Sequence, residues 1–204
     1  MRYVSWCLLV ILLTGCGLMS RTPPTLPVTW EGGIDYGMVE KAREQITAAQ
    51  LQGIKELQIQ FASPGGAVIP ALMLVREVLG ARTHGLVVAI HGHSVVASAG
   101  IWVLGAGTPG RRTIAKRTLV LVHGLQVGGG FYSVPECVDD TKLAERDHES
   151  RQAIQALLQM IREMEAELSG KTVETVREWS LCGKERAGNG SLLVELGLAD
   201  RVED

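Results

Sequence analysis

The chain has no surplus of basic charge, no long acidic block, no internal repeat and few aromatic side chains. Its 20 Lys and Arg against 22 Asp and Glu leave a net charge of −2, which removes the electrostatic basis for nucleic-acid binding. Without an acidic block there is no reason to expect a disordered tail. The four cysteines form no C-x-x-C pair and the five histidines are scattered, so no metal centre is expected. What is present fits one well-cored domain: 204 residues, 46% hydrophobic and 4% aromatic, are too few for two full-sized domains. Twenty-four glycines signal tight turns and close backbone approaches.

No apolar run reaches the ~20 residues that a membrane-crossing helix needs. The nearest is in MRYVSWCLLVILLTGCGLMS, where Arg2 precedes an apolar core over residues 6–13 that ends in small residues. That pattern reads as an export signal. Leu13-Thr14-Gly15-Cys16 resembles a bacterial lipobox. The resemblance implies that residues 1–15 are removed and Cys16 is lipidated, so that acyl chains anchor the protein in a membrane, each buried CH₂ adding about 0.8 kcal/mol. An ordinary signal or an N-terminal anchor with a chance cysteine is the alternative. Gly17 in place of aspartate favours the outer membrane in a two-membrane host. Residues 16–29, with Pro23, Pro24 and Pro27, read as the lipidated end and an extended tether, followed by a domain over residues 30–204. Cys137 and Cys182 either pair in an oxidising compartment or stand apart.

Within the domain, strand and helix patterns alternate. Residues 35–51 carry apolar positions at Met38, Val39, Ala42, Ile46 and Ala49, as a helix requires. LQIQF (residues 57–61) alternates as a half-buried strand and runs into ASPGGAVIP and a helix through Leu79. LVVAI (86–90) and TLVLV (118–122) read as strands, with a small-residue helix at 98–105 between them. Strands separated by helices imply right-handed crossovers and a mostly parallel sheet. Beyond Gly124, VGGGFYSVPECVDD reads as a loop or irregular hairpin. A long helix over 141–168 then carries an apolar stripe along its second half, stopped by Gly170, with Thr172 capping a further short helix. Gly170-Lys171-Thr172 spells the end of a phosphate-binding loop, but Glu165 stands where that loop needs its first glycine, and a helix precedes it instead of a strand.

Chemistry concentrates in three places. Ser98, in GHSVVASAGIW, follows an apolar run and is flanked by Ala97, Ala99 and Gly100, small enough for a substrate backbone to approach. A serine that begins a helix has free backbone N–H groups and a positive dipole end beside it. Ser94 lies nearer the strand end and lacks the glycine flanks of a nucleophile elbow. His123 ends TLVLV, and the glycines of Ser63-Pro64-Gly65-Gly66 can present an unobstructed N–H. Parallel strands bring their C-terminal ends to one sheet edge. Singly, these features suit a helix cap, a strand-end polar residue and a turn. Together they offer a hydroxyl, an imidazole and oxyanion donors, the set that acyl transfer needs.

SPGG, a small-residue SAG and a hydrophobic strand VLVH, with ELGLADRV at the end, resemble the proteolytic subunit of the Clp protease and its relatives in the Clp/crotonase superfamily. The resemblance runs from about Gly33 to Val202 and is nearest to exported, Clp-like periplasmic proteins. It implies an α/β fold, a spiral of ββα units with a mostly parallel sheet and a long helix in the C-terminal half, and assembly into homo-oligomers. It further implies Ser98 as nucleophile, His123 as general base, and Gly66 and Ala99 as oxyanion donors, in a serine peptidase that cuts peptides or proteins. No cofactor is expected, and ATP would not be at hand outside the cytoplasm. Two departures stand out. The segment between Gly92 and Ser98 is longer than in the Clp subunit, and SLCGKERAGNGSLL has no aspartate where the family keeps its third triad member. Glu185 is the replacement candidate. A catalytically inactive scaffold or binding module, and crotonase-type acyl-CoA chemistry, are the competing expectations.

Overall fold

In ELQIQFAS the alternate residues Leu57, Ile59 and Phe61 are buried, and this segment forms a central strand, β2 (Glu56–Ser63). A computed structural model describes residues 24–128, 136–144 and 146–204. The signal, Cys16 and the first part of the tether lie outside these residues.

The strand before it was not expected. β1 (Thr25–Glu31) pairs with β2 in parallel from Thr25 opposite Glu56 to Glu31 opposite Ala62. The end of the segment read as a tether over residues 16–29 is therefore part of the sheet. Proline led the reading astray: β1 is an edge strand, where a missing N–H is tolerated because no ladder bond need be lost. Trp30, fully buried, secures that edge to the core.

Helix α1 (Tyr36–Leu51) starts where Asp35 accepts a hydrogen bond from the Met38 amide, and its five expected apolar positions are all buried. After β2 come α2 (Val68–Thr83), then β3 (Val87–Ala97), α3 (Gly100–Ala106), β4 (Arg112–Ala115) and β5 (Leu119–Val122). The strand order is β1-β2-β3-β4 and then a closing strand, β9 (Arg201–Glu203), all parallel. β5 joins β3 in parallel and pairs on its other side with antiparallel β8 (Arg186–Gly188). Helices α1, α2, α3 and the later α5 (His148–Ser169) pack in succession against one another. The architecture is the α/β arrangement with a mostly parallel sheet that the sequence predicts.

β3 is the pivot. Its first half, Ile90–Gly92, pairs with β4, and its second half, Val95–Ala97, pairs with β5. Between them the register against β2 slips: Phe61 faces Gly92 and Ser63 faces Val96, two steps on β2 against four on β3. The additional residues are absorbed as a bulge around Ser94, whose φ is 56°. Ser98, beyond the bulge, keeps its place beside β5.

The chain beyond β5 makes a two-stranded antiparallel hairpin, β6 (Gln126–Val127) with β7 (Glu136–Cys137). The Gly-rich part of the expected loop, residues 129–135, lies outside the described residues. The helix expected over 141–168 is divided into α4 (Asp140–Leu143) and α5 (His148–Ser169). Asp139 caps α4 through the Thr141 and Lys142 amides, and Asp147, at the break, caps α5 anew through the Ser150 amide. Gly170 ends α5 in the left-handed conformation, φ 68°. Thr172 caps α6 (Val173–Arg177) by accepting from the Thr175 amide. A short α7 (Gly190–Glu195) leads into β9.

Two covalent or charged ties hold this later half. Cys137 of β7 and Cys182 are disulfide-bonded, Cα to Cα 5.7 Å, across a separation of 45 residues. Closing a loop of that length stabilises by about 4 kcal/mol through the unfolded chain's entropy. Arg112 of β4 meets Asp200 through its side chain (2.6 Å) and its backbone amide (2.8 Å), while also donating to Leu168 O at the end of α5 (2.8 Å). Burial works to raise the Asp200 pKa, but the Arg112 hydrogen bonds outweigh it and hold the carboxyl below its usual range. The closing segment GLAD thereby pins β9 to the sheet.

Candidate active site

Ser98 does not begin the helix, as expected, but stands just before it: α3 starts at Gly100 with Ala99 as its cap residue. Its φ of 52° is unusual for a residue with a Cβ. Such a left-handed residue at a sharp strand-to-helix turn is the backbone form of a nucleophile elbow. Here the turn arises without the first glycine of that motif, since Val96 occupies its place and only Gly100 keeps the second. Ser98 N–H donates to Leu121 O at 2.8 Å, extending the β3–β5 ladder by one residue. Ser94 shares the positive φ, yet it is exposed and its hydroxyl is bonded to the ring of His93 at 3.1 Å, away from Ser98.

The SPGG turn packs directly on this serine. Gly65 has φ +100°, and a Cβ built there would lie 2.5 Å from Ser98 Cβ. Only glycine fits that approach. The next residue, Gly66, is clamped against Ile34, where a Cβ would collide with the Ile34 carbonyl oxygen and lie 2.5 Å from the Ile34 nitrogen. The clamp is a backbone ladder: Ile34 N–H donates to Gly65 O and Ala67 N–H donates to Ile34 O. Ser63 Oγ, fully buried, accepts from the Gly65 amide at 3.1 Å. The amides of Gly66 and Ala99 make no hydrogen bond to the described residues.

His123 follows β5, two residues past Leu121, the residue that receives the Ser98 amide. Its Nδ1 is 2.7 Å from Gly124 O. A carbonyl can only accept, so Nδ1 carries the proton and the neutral ring keeps its lone pair on Nε2. No hydrogen bond joins the ring to Ser98 in this state. Among the described residues, no carboxylate is hydrogen-bonded to the ring. Glu185 is exposed, and its carboxylate accepts from the Gly183 amide at 3.2 Å, so the structure does not bring it to His123. Asp139 is buried but engaged, accepting from the Thr141 hydroxyl and from the Thr141, Lys142 and Cys182 amides. The Thr141 hydroxyl bond, with the amide bonds, holds the Asp139 pKa low against the opposing effect of burial.

Ser98, Ala99, Gly66 and His123 all line one cavity of about 180 Å³. The four residues that sequence reasoning singled out are thus brought to one place. The cavity also contains a group that it did not single out as functional. Glu165 of α5 is 5% exposed and accepts a hydrogen bond from Trp102 Nε1 at 2.7 Å. Burial pushes its pKa up to about 7, against the lowering effects of the Trp102 bond and the Arg162 charge. A glutamate on the apolar side of an amphipathic helix, between Ile161 and Leu168, was the available signal. Among the described residues, no group of three or more His, Cys, Asp or Glu side chains is placed to hold a metal ion.

No curated protein matches the chain. The model of the Clp protease family, however, matches residues 24–204, from the residue before β1 to the residue after β9. On that match the chain belongs to the Clp protease family.

Proposed function

We propose that the protein is a membrane-anchored serine peptidase that hydrolyses peptide bonds at Ser98. Ser98 Oγ attacks the scissile carbonyl while His123 Nε2 takes its proton. The carbonyl oxygen, now negative, receives the Gly66 and Ala99 amides. Collapse of the tetrahedral adduct expels the amine, which leaves with the proton from His123, and water then hydrolyses the acyl-enzyme by the same route. The observation that carries this reading is the packing of Gly65 on Ser98, with two unpaired amides and His123 around the same cavity. Each such donor contributes about 2.7–4 kcal/mol in the transition state. Catalytic hydrogen bonds are often long in a substrate-free site and tighten when substrate is bound. The Gly124 carbonyl takes the orienting role that a carboxylate has in the family, and it fixes the required tautomer.

Anchorage rests on the lipobox at Cys16, and export is supported by the bonded pair Cys137–Cys182, since such bonds persist in oxidising compartments. The domain acts on exposed or unfolded peptide segments at a membrane surface, as a homo-oligomer and without ATP. That no carboxylate among the described residues bonds the His123 ring favours a second reading, in which the fold serves as an anchored, catalytically silent scaffold. A fluorophosphonate probe separates the two. Under the peptidase reading the wild type is labelled and Ser98→Ala is not. Failure of a folded, assembled wild type to react would leave the scaffold.

A further inference from the structure

The cavity beside Ser98 has mixed walls: Val68, Ile101, Leu125, Leu158 and Ile161 line it on the apolar side, and Arg162 and Glu165 of α5 line it as charged residues. One oxygen of the Glu165 carboxyl is held by Trp102; the other, Oε2, is buried and has no hydrogen-bond partner. A buried acceptor without a donor costs about 1–3 kcal/mol, and that cost is recovered when a ligand supplies the donor. We propose, resting on the peptidase reading, that this cavity is the specificity pocket for the substrate side chain next to the scissile carbonyl, and that Glu165 selects lysine or arginine there.

Size and chemistry agree. A cavity of about 180 Å³ is below the 300–1,000 Å³ typical of whole small-molecule sites and suits one long side chain. The aliphatic stem of lysine or arginine lies along the apolar walls while its cationic end meets the carboxylate. Two other titratable groups line the cavity among the described residues, Arg162 and His123. Arg162, one turn before Glu165 on α5, is bonded to Asp140 at 3.0 Å, and Asp140 also receives Arg177. His123 lies on the cavity wall contributed by β5 and its following turn. With a pKa of about 7, the carboxyl is close to half ionised at neutral pH, and an arriving cation drives its proton off. Neutral side chains gain nothing from that ionisation. A site built to hydrogen-bond one side chain discriminates strongly against those that leave its polar group unpaired.

The test compares paired peptides that differ only in lysine or leucine at the position before the cleaved bond. Wild-type protein should prefer lysine by at least tenfold in kcat/KM. The preference should grow from pH 6 to pH 8 and collapse in Glu165→Gln. Because it is a ratio on the same sample, it is independent of how much of the variant folds. Calorimetric binding of the two peptides to Ser98→Ala and to Ser98→Ala with Glu165→Gln removes the dependence on catalysis. Tighter lysine binding that vanishes with Glu165→Gln supports the pocket even where Ser98 proves unreactive, an outcome that sinks only the peptidase reading. Equal binding of the two peptides, or a preference that survives Glu165→Gln, overturns the pocket while leaving Ser98 labelling untouched.

Discussion

The two sides of the cleft are built to different standards. On the Ser98 side, position is fixed by backbone: a ladder bond to Leu121, a left-handed turn, and a glycine pair wedged between Ile34 and the serine. On the His123 side, the ring depends on one carbonyl of the adjacent residue, and the nearby chain runs through a short hairpin and a disulfide. The difference teaches that the half of the site made of the nucleophilic hydroxyl and the oxyanion amides is over-determined by the fold. The base is not.

Substitution on the rigid side therefore carries the largest effect. In Gly66→Ala the new Cβ meets backbone atoms of Ile34, which cannot swing aside as a side chain would. The SPGG turn must shift, taking the Gly66 amide with it. Loss of one such donor costs about 10²–10³ in rate, so the rate of fluorophosphonate labelling at Ser98 should fall by that factor. A fall below tenfold would show that the amide is not aimed at the reacting oxygen.

A second variant sharpens the contrast by reading the cleft's far wall through stability. Glu165 has its folded pKa raised from 4.5 to about 7. Between these values the folded protein holds a proton that the unfolded chain has released. Its contribution to stability is complete below pH 4.5, is lost as pH rises through 7, and is flat above. The drop corresponds to about 3 kcal/mol. Glu165→Gln keeps an acceptor for Trp102 and removes the titration. Urea midpoints at pH 5 and pH 8 should accordingly differ more in the wild type than in the variant. Parallel shifts in both would place the proton elsewhere.

How far the sequence disclosed this follows from the same contrast. Ser98, His123, Gly66 and Ala99 sit at ends of strands with strong periodicity, and parallel strands deliver their ends to one edge, so their convergence was legible. The long β3 bulge was legible only as an excess of residues. It took the register against β2 to show that the excess is absorbed at Ser94 and does not move Ser98. β1 was missed because Pro27 reads as a breaker unless the strand is known to lie at an edge. The division of the long helix was hidden by continuous helix formers on both sides of Asp147. Glu165 escaped because one-letter patterns record a charge on a helix, whereas its role depends on depth: the same residue on the outer face would be an ordinary solvated acid.

The base side yields the smallest of the three effects. General-base assistance contributes about 10²–10⁴ in rate, and its upper range requires an imidazolium stabilised from behind. Here the partner of Nδ1 is a neutral carbonyl, which orients the ring but supplies less stabilisation to its charged form than a carboxylate does. His123→Ala should therefore lower peptide turnover by about 10², the bottom of that range, and the labelling rate with it. A loss nearer 10⁴ would mean that an acid reaches the ring once substrate is bound, and the asymmetry between the two sides of the cleft would belong only to the empty site.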